Sequence, residues 1–268
     1  MTNINVSRLY EAYCALPPSE QRSGTYLSNF RILYSERTSI VLGDKEQVIK
    51  IIPRDDAITA VEKEFKMLTL CRDIRGGSFV TPAPIAYGKN PNHLVMTRLE
   101  KPCGYISTEW DYQRVGQALG EFSAELWVRY GYIHDDLHPR NFTREKDGKV
   151  GVLDFESIKE PLTRVWYSPN NRKSFEEMFL PPLACEPGLA PYVASAFTER
   201  SGIPINFAWL TRLVNDQVRF MEAEWDHKDC EETVEIIESN LQKWKEHLAN
   251  HRPAVVSRSS CALPLRRL

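Results

Sequence analysis

Two short stretches of this sequence carry residues that could do chemistry together. The first is Tyr132-Ile133-His134-Asp135-Asp136-Leu137-His138-Pro139-Arg140-Asn141, and the second is Val152-Leu153-Asp154-Phe155-Glu156, entered through an apolar strand. They offer carboxylates, an amide oxygen and two imidazoles. Magnesium is a hard cation that keeps several waters and takes one or two carboxylates plus phosphate oxygens. Phosphoryl transfer needs such oxygen ligands, and an acid group near an attacking hydroxyl. The residue types fit that chemistry. His-x-Asp alone is common, but His134, Asp136, Leu137, Asn141 and a downstream apolar-Asp-Phe form a far more specific set. The competing reading is a charged turn between two core segments, with Asp136 and Asn141 as turn or cap residues.

The elements that must position these residues lie on both sides of them. Upstream, Gln47-Val48-Ile49-Lys50-Ile51-Ile52 reads as a β-strand with Lys50 near its centre. A lysine in an Ile/Val strand is unfavourable unless its ammonium has a task or snorkels out. Ala60 to Arg72 has helical periodicity, with Val61, Phe65, Leu68 and the Arg72 stem on one stripe and Thr59 or Asp56 as cap. That helix carries two candidate glutamates, Glu62 and Glu64. Glu109 to Tyr130 is a second predicted helix, through Val115, Leu119, Phe122 and Leu126, capped by Ser107 or Thr108, and it leads into the His134–Asn141 stretch.

An H-x-D-L-x-x-x-N loop followed by an apolar strand and Asp-Phe, with a strand lysine and a helix glutamate upstream in that order, resembles the catalytic core of the protein-kinase-like superfamily. The resemblance covers about residues 26–170 and implies these roles. Lys50 would hold the α/β-phosphates of ATP. Glu64, in an E-x-x-x-L pattern, would fix Lys50, the alternative being that both glutamates are solvated helix charges. Asp136 would orient and deprotonate the acceptor hydroxyl, and His134 would buttress the loop. Asn141 and Asp154 would hold Mg²⁺. His138 stands where protein kinases often carry a lysine, so it would stabilise transferred charge or simply pack the loop. Glu100 to Gly104 would form the hinge that meets adenine.

The sequence also departs from that pattern. The phosphate-covering loop is Ser35-Glu36-Arg37-Thr38-Ser39, without the glycines that let backbone approach phosphate closely. The hydroxyls of Ser35, Thr38 or Ser39, or the Arg37 side chain, would substitute. Asp135 replaces the arginine that reads activation-loop phosphate, and Glu156 replaces the glycine after Asp-Phe. Asp-Leu-His-Pro and Asp-Phe-Glu are similar to aminoglycoside-kinase-like and choline-kinase-like enzymes. The short span from Glu100 to Asp136, and the likeness of Thr163-Arg164-Val165-Trp166-Tyr167-Ser168-Pro169-Asn170 to the end of an activation segment, point instead to protein kinases. The expected acceptor is therefore a protein Ser/Thr hydroxyl, with a small-molecule alcohol as the alternative and a non-catalytic pseudokinase scaffold as a second alternative.

Composition bounds the rest. The 268 residues suffice for one large or two small cores. A net charge of −2 implies no polyelectrolyte partner such as nucleic acid. No apolar run approaches the ~20 residues that span a bilayer, and Met1 to Arg8 lacks a secretory pattern. Six cysteines are scattered without metal-type spacing, which suits reduced thiols and a cytoplasmic setting. The expected fold is α+β and two-lobed. Residues 1–24 form a helical extension, and residues 25–100 form an antiparallel sheet lobe with one helix. Residues 101–251 form a mainly helical lobe, including helices over Phe207 to Trp225 and Glu231 to Asn250, and residues 252–268 form a flexible tail.

Overall fold

The computed structural model describes residues 4–36, 38–74, 76–100, 109–138, 141–160, 187–203 and 205. The first helix, α1 (Val6–Cys14), starts at Asn5, whose side-chain oxygen accepts the Arg8 N–H at 3.0 Å. A cap of this kind satisfies one of the donors that a helix start leaves open. Val6 and Tyr13 are buried and Leu9 and Tyr10 half-buried, so these four share one face at helical spacing.

Strands β1 (Tyr26–Leu27), β2 (Phe30–Ser35), β3 (Ile40–Gly43) and β4 (Gln47–Ile52) come next. Helix α2 (Ile58–Cys71), β5 (Phe79–Val80), β6 (Pro84–Gly88) and β7 (Asn92–Thr97) complete the first 100 residues. All but β5 of these strands form one antiparallel sheet in the order β1-β2-β3-β4-β7-β6. The segment Tyr26–Tyr34 therefore forms two strands rather than one. Ser28 adopts a positive φ of 56°, and Leu27 pairs with Phe30 across the two-residue Ser28-Asn29 turn. The Gly43–Glu46 turn is held by Asp44, whose Oδ1 accepts the Glu46 and Gln47 N–H groups at 2.7 Å.

Side-chain parity along β4 decides the rest, because alternate residues face opposite sides of a sheet. Ile49 and Ile51 point to the α1 side, into a core with Phe30, Ile32, Leu42 and Val95. Val48 and Ile52 point to the other side, where Leu94, Met96 and α2 lie. Lys50 shares their parity, so it faces α2. That helix does not use the expected caps: the chain enters it from a 3₁₀ turn (Asp55–Ala57), and Ala57 occupies the cap position with no side-chain bond. Its buried face is Val61, Glu64, Met67, Leu68 and Cys71. Phe65 is only half-buried, 4.8 Å from the Tyr87 ring, so the buried stripe lies one step round from the expected one.

The remaining elements are α3 (Glu109–Tyr130), β8 (Ile133–His134), β9 (Phe142–Arg144), β10 (Val150–Val152), β11 (Ile158–Lys159) and α4 (Ala190–Ser201). Strand β10 pairs with β5 in parallel and with β9 antiparallel, while β8 pairs with β11. The described part of the expected helical lobe thus holds four short strands beside two helices. Strands of two or three residues are too short to show a period of two. Val115, Leu119, Phe122 and Leu126 of α3 are buried as predicted, and they join α2, β10 and Phe155 in one continuous core. The cap candidates Ser107 and Thr108, the Thr163–Asn170 segment, the two helices expected after residue 206 and the 252–268 tail lie outside the described residues.

Candidate active site

The site is built from the middle of β4 outward. The Lys50 ammonium lies 2.9 Å from Glu64 Oε2, 3.1 Å from Asp154 Oδ1 and 2.9 Å from Glu156 Oε2. An ammonium has three donors and no more, and all three are used. Glu64 comes from the buried face of α2, whereas Glu62 is exposed. Helical spacing therefore separates the two candidates. Asp154 follows β10 and opens a 3₁₀ turn, Phe155–Ser157, that contains Glu156. Lys63 Nζ donates to the Glu156 carbonyl at 2.7 Å, which ties α2 to this turn a second time.

Asp154 has φ 63° and ψ 59°, the left-handed region that side chains other than glycine, asparagine and aspartate rarely occupy. What holds it there is on either side. The Phe155 ring is fully buried, 6.0 Å from Phe122 and 6.1 Å from the His134 ring. The Leu153 N–H donates to the Asn141 carbonyl at 2.9 Å.

Electrostatics at Lys50 follow from one cation serving three anions. Burial works against its charge, but Glu64 first and then Asp154 and Glu156 outweigh it and hold the ammonium pKa above the ordinary lysine value. For Glu64 burial dominates and displaces the carboxyl upward; Lys50 pulls it back and the other two carboxylates add to the rise. The cluster is short of positive charge.

The second half of the site is the His134–Asn141 loop. His134 is 1% exposed, its Nε2 3.1 Å from the Leu153 carbonyl and its Nδ1 3.3 Å from the Asp136 N–H. These partners assign the tautomer: Nε2–H donates to the carbonyl and Nδ1 accepts the amide. Burial holds the imidazole pKa below its ordinary value, with the Leu153 carbonyl and three aspartates opposing. Asn141 Nδ2 donates to the Asp136 carbonyl at 2.9 Å and to Asp136 Oδ2 at 3.1 Å, and lies 3.3 Å from His138 Nε2. His138 Nε2 is itself 3.5 Å from Asp136 Oδ2.

The structure therefore brings the predicted residues together in two groups. Lys50, Glu64 and Asp154 form one, and Asp136, His138 and Asn141 the other. His134 and the Asn141–Leu153 bond stitch the two through backbone. Glu100 joins neither: its N–H donates to Glu145 Oε1 at 3.1 Å and its carboxylate pairs with Lys146. Arg37 and the rest of the expected hinge lie outside the described residues. Glu156 is the member that sequence reasoning left without a role. Its place after Asp-Phe marks it, but its partner is 106 residues away and no local pattern connects them.

Hard oxygen donors suit magnesium. Asn141 has its amide nitrogen committed, and its Oδ1 accepts no hydrogen bond among the described residues. The second Asp154 oxygen is likewise open among them, so this pair fits a magnesium ion by donor chemistry.

No family model matches the chain, and no curated protein matches it. Among solved structures, the crystal structure of monomeric WbdD is similar at 20% identity with a TM-score of 0.38, over 66% of this chain and 44% of that one. The chain spans less than half of that structure's length.

Proposed function

We propose that this chain is a two-lobed, kinase-like phosphotransferase that moves the γ-phosphoryl group of Mg-ATP to a hydroxyl. The observation that carries the reading is Lys50 in ionic contact with both the α2 glutamate and the aspartate after β10. The sequence resemblance implies the first of these partners for this lysine and gives the second a magnesium-binding role. Lys50 binds the α/β-phosphates, and Glu64 fixes its position. Asn141 and Asp154 hold magnesium, which when bound neutralises charge on the phosphate oxygens. Asp136 orients the acceptor hydroxyl and takes its proton. Its side chain is 42% exposed, so an acceptor can reach it, and Asn141 and His138 steady one of its oxygens. His134, neutral and buried, keeps the loop backbone in place. Rate enhancement would come mainly from positioning and preorganised charge.

A protein Ser/Thr hydroxyl is the acceptor we propose, on the short span from Glu100 to Asp136. A small-molecule alcohol is the second reading, favoured by Glu156, which completes Asp-Phe-Glu and contacts Lys50 directly. Transfer of labelled γ-phosphate tests both. Wild type and Asp136→Ala are incubated with Mg-ATP and cell lysate split into macromolecular and small-molecule fractions. Asp136→Ala is expected to lose about 10²–10⁴-fold in rate. Label in protein supports the first reading and label only in metabolites the second. Equal rates in both proteins refute the assignment, and a thermal shift with Mg-ATP but no transfer marks a scaffold.

A further inference from the structure

The three donors of the Lys50 ammonium are all occupied, so no ligand oxygen can bond to it without replacing a carboxylate. The three are not equally replaceable. The Glu64 side chain is 3% exposed, on the buried face of α2. The Asp154 side chain is 26% exposed and sits in a left-handed backbone conformation anchored by Phe155. The Glu156 side chain is 42% exposed, and among the described residues its ionic contact is with Lys50 alone. Its backbone is held independently through the Lys63 bond to its carbonyl, so the side chain can swing to water while the turn stays in place.

We infer that Glu156 is a displaceable counterion for Lys50: it satisfies the ammonium when the site is empty and yields its place to an anionic oxygen of an incoming ligand. On the function proposed above, that oxygen belongs to the ATP phosphates, and this identity rests on that reading. The arrangement keeps the buried ammonium paired in the empty state. It also opposes anion binding, because the ligand must first compete with an attached carboxylate. Glu156 is thus a positioning residue that sets nucleotide affinity.

The test has two readouts on the full chain. ATP is titrated calorimetrically against wild type, Glu156→Gln and Glu156→Ala, in excess EDTA and in excess Mg²⁺. Both variants are expected to bind ATP about 3–10-fold tighter in EDTA, the worth of one partly exposed charged hydrogen bond. Separately, without nucleotide, lysines are labelled with trace acetic anhydride, and the Lys50 peptide is compared with that of Lys146, which is 90% exposed. Lys50 labelling is expected to rise about threefold or more in both variants, by the same loss of one charged bond. Unchanged labelling, or equal or weaker ATP binding in EDTA, overturns the inference. Weaker binding confined to Mg²⁺ also overturns it, by making Glu156 a metal ligand. Faster labelling with no ATP binding by any form upholds the counterion and overturns the nucleotide reading instead.

Discussion

Replacing Lys50 by methionine keeps the length of the side chain and removes its charge. Glu64, Asp154 and Glu156 then face one another without a cation. At 2.9 and 3.1 Å and an effective dielectric of about 20, each of the two more buried attractions is worth about 5–6 kcal/mol gross. Desolvation of the buried ions offsets several kcal/mol of this. Glu156 is more than a third exposed and adds little. Removing one partner from a buried pair typically costs about 3–5 kcal/mol, and that is the loss expected for Lys50→Met, a large share of the roughly 5–15 kcal/mol that holds a typical domain folded. Glu64→Gln removes a carboxylate that burial already disfavours and leaves Lys50 two others, so it should cost about 1 kcal/mol. In the double variant the cost should be smaller than the sum by at least about 1 kcal/mol. Urea unfolding followed by far-UV circular dichroism gives all four values. A Lys50→Met protein as stable as wild type, or strict additivity in the cycle, would refute the three-carboxylate arrangement.

Gly120→Ala should destabilise the chain by about 1–3 kcal/mol in the same assay despite the better helix propensity of alanine. Its Cβ would meet the Val193 carbonyl at 2.5 Å and the Phe197 amide at 2.9 Å, so α3 and α4 would have to part. Cys14 is exposed and should react with a maleimide within minutes, while Cys71 is buried with its thiol pushed up to about 12 and should react only after urea is added; peptide mass spectrometry reads both sites. For His134 the sign follows from its depressed folded pKa. The unfolded chain takes up a proton near pH 6.5 while the folded chain resists, so this contribution is full above about pH 6.5 and is lost as pH falls toward the folded value. The slope is up to about 1.4 kcal/mol per pH unit, and His134→Gln should flatten the acid limb of urea midpoints by one proton.

Much of the site was legible because chemistry and periodicity coincide there. A lysine among Ile and Val in a strand has few physical excuses, and parity alone sends Lys50 to the face opposite Ile49 and Ile51. The glutamate choice was legible only through motif spacing; amphipathic periodicity put Phe65 on the stripe and missed that Glu64 belongs to the buried face. The Ser28-Asn29 turn was hidden inside an apolar run, since one positive φ leaves no mark on hydrophobicity. Helix α4 went unseen although Pro191 near its start and Gly202, at φ 72°, just after its end frame it. The Glu156 contact could not be read at all. It depends on where a 3₁₀ turn sets a side chain against a strand from another part of the chain, and that is a property of packing.

Within the Asp154–Glu156 tripeptide, three consecutive side chains meet three different environments, and a short turn is what permits this. In a strand the first and third would share a face; in an α-helix they would stand about 200° apart. The left-handed residue followed by a 3₁₀ turn does neither. It sends Phe155 into the core against Phe122 and His134, and lets both flanking carboxylates converge on one ammonium. The buried ring supplies the anchoring that the strained backbone needs. Because the same ring packs on His134, whose nitrogens hold Leu153 and Asp136, the position of the Asp136 loop is coupled to that of Asp154 through van der Waals contact and two hydrogen bonds. The two halves of the site are therefore set relative to each other by an apolar residue between two acidic ones, and no side-chain salt bridge between the halves is required to align them.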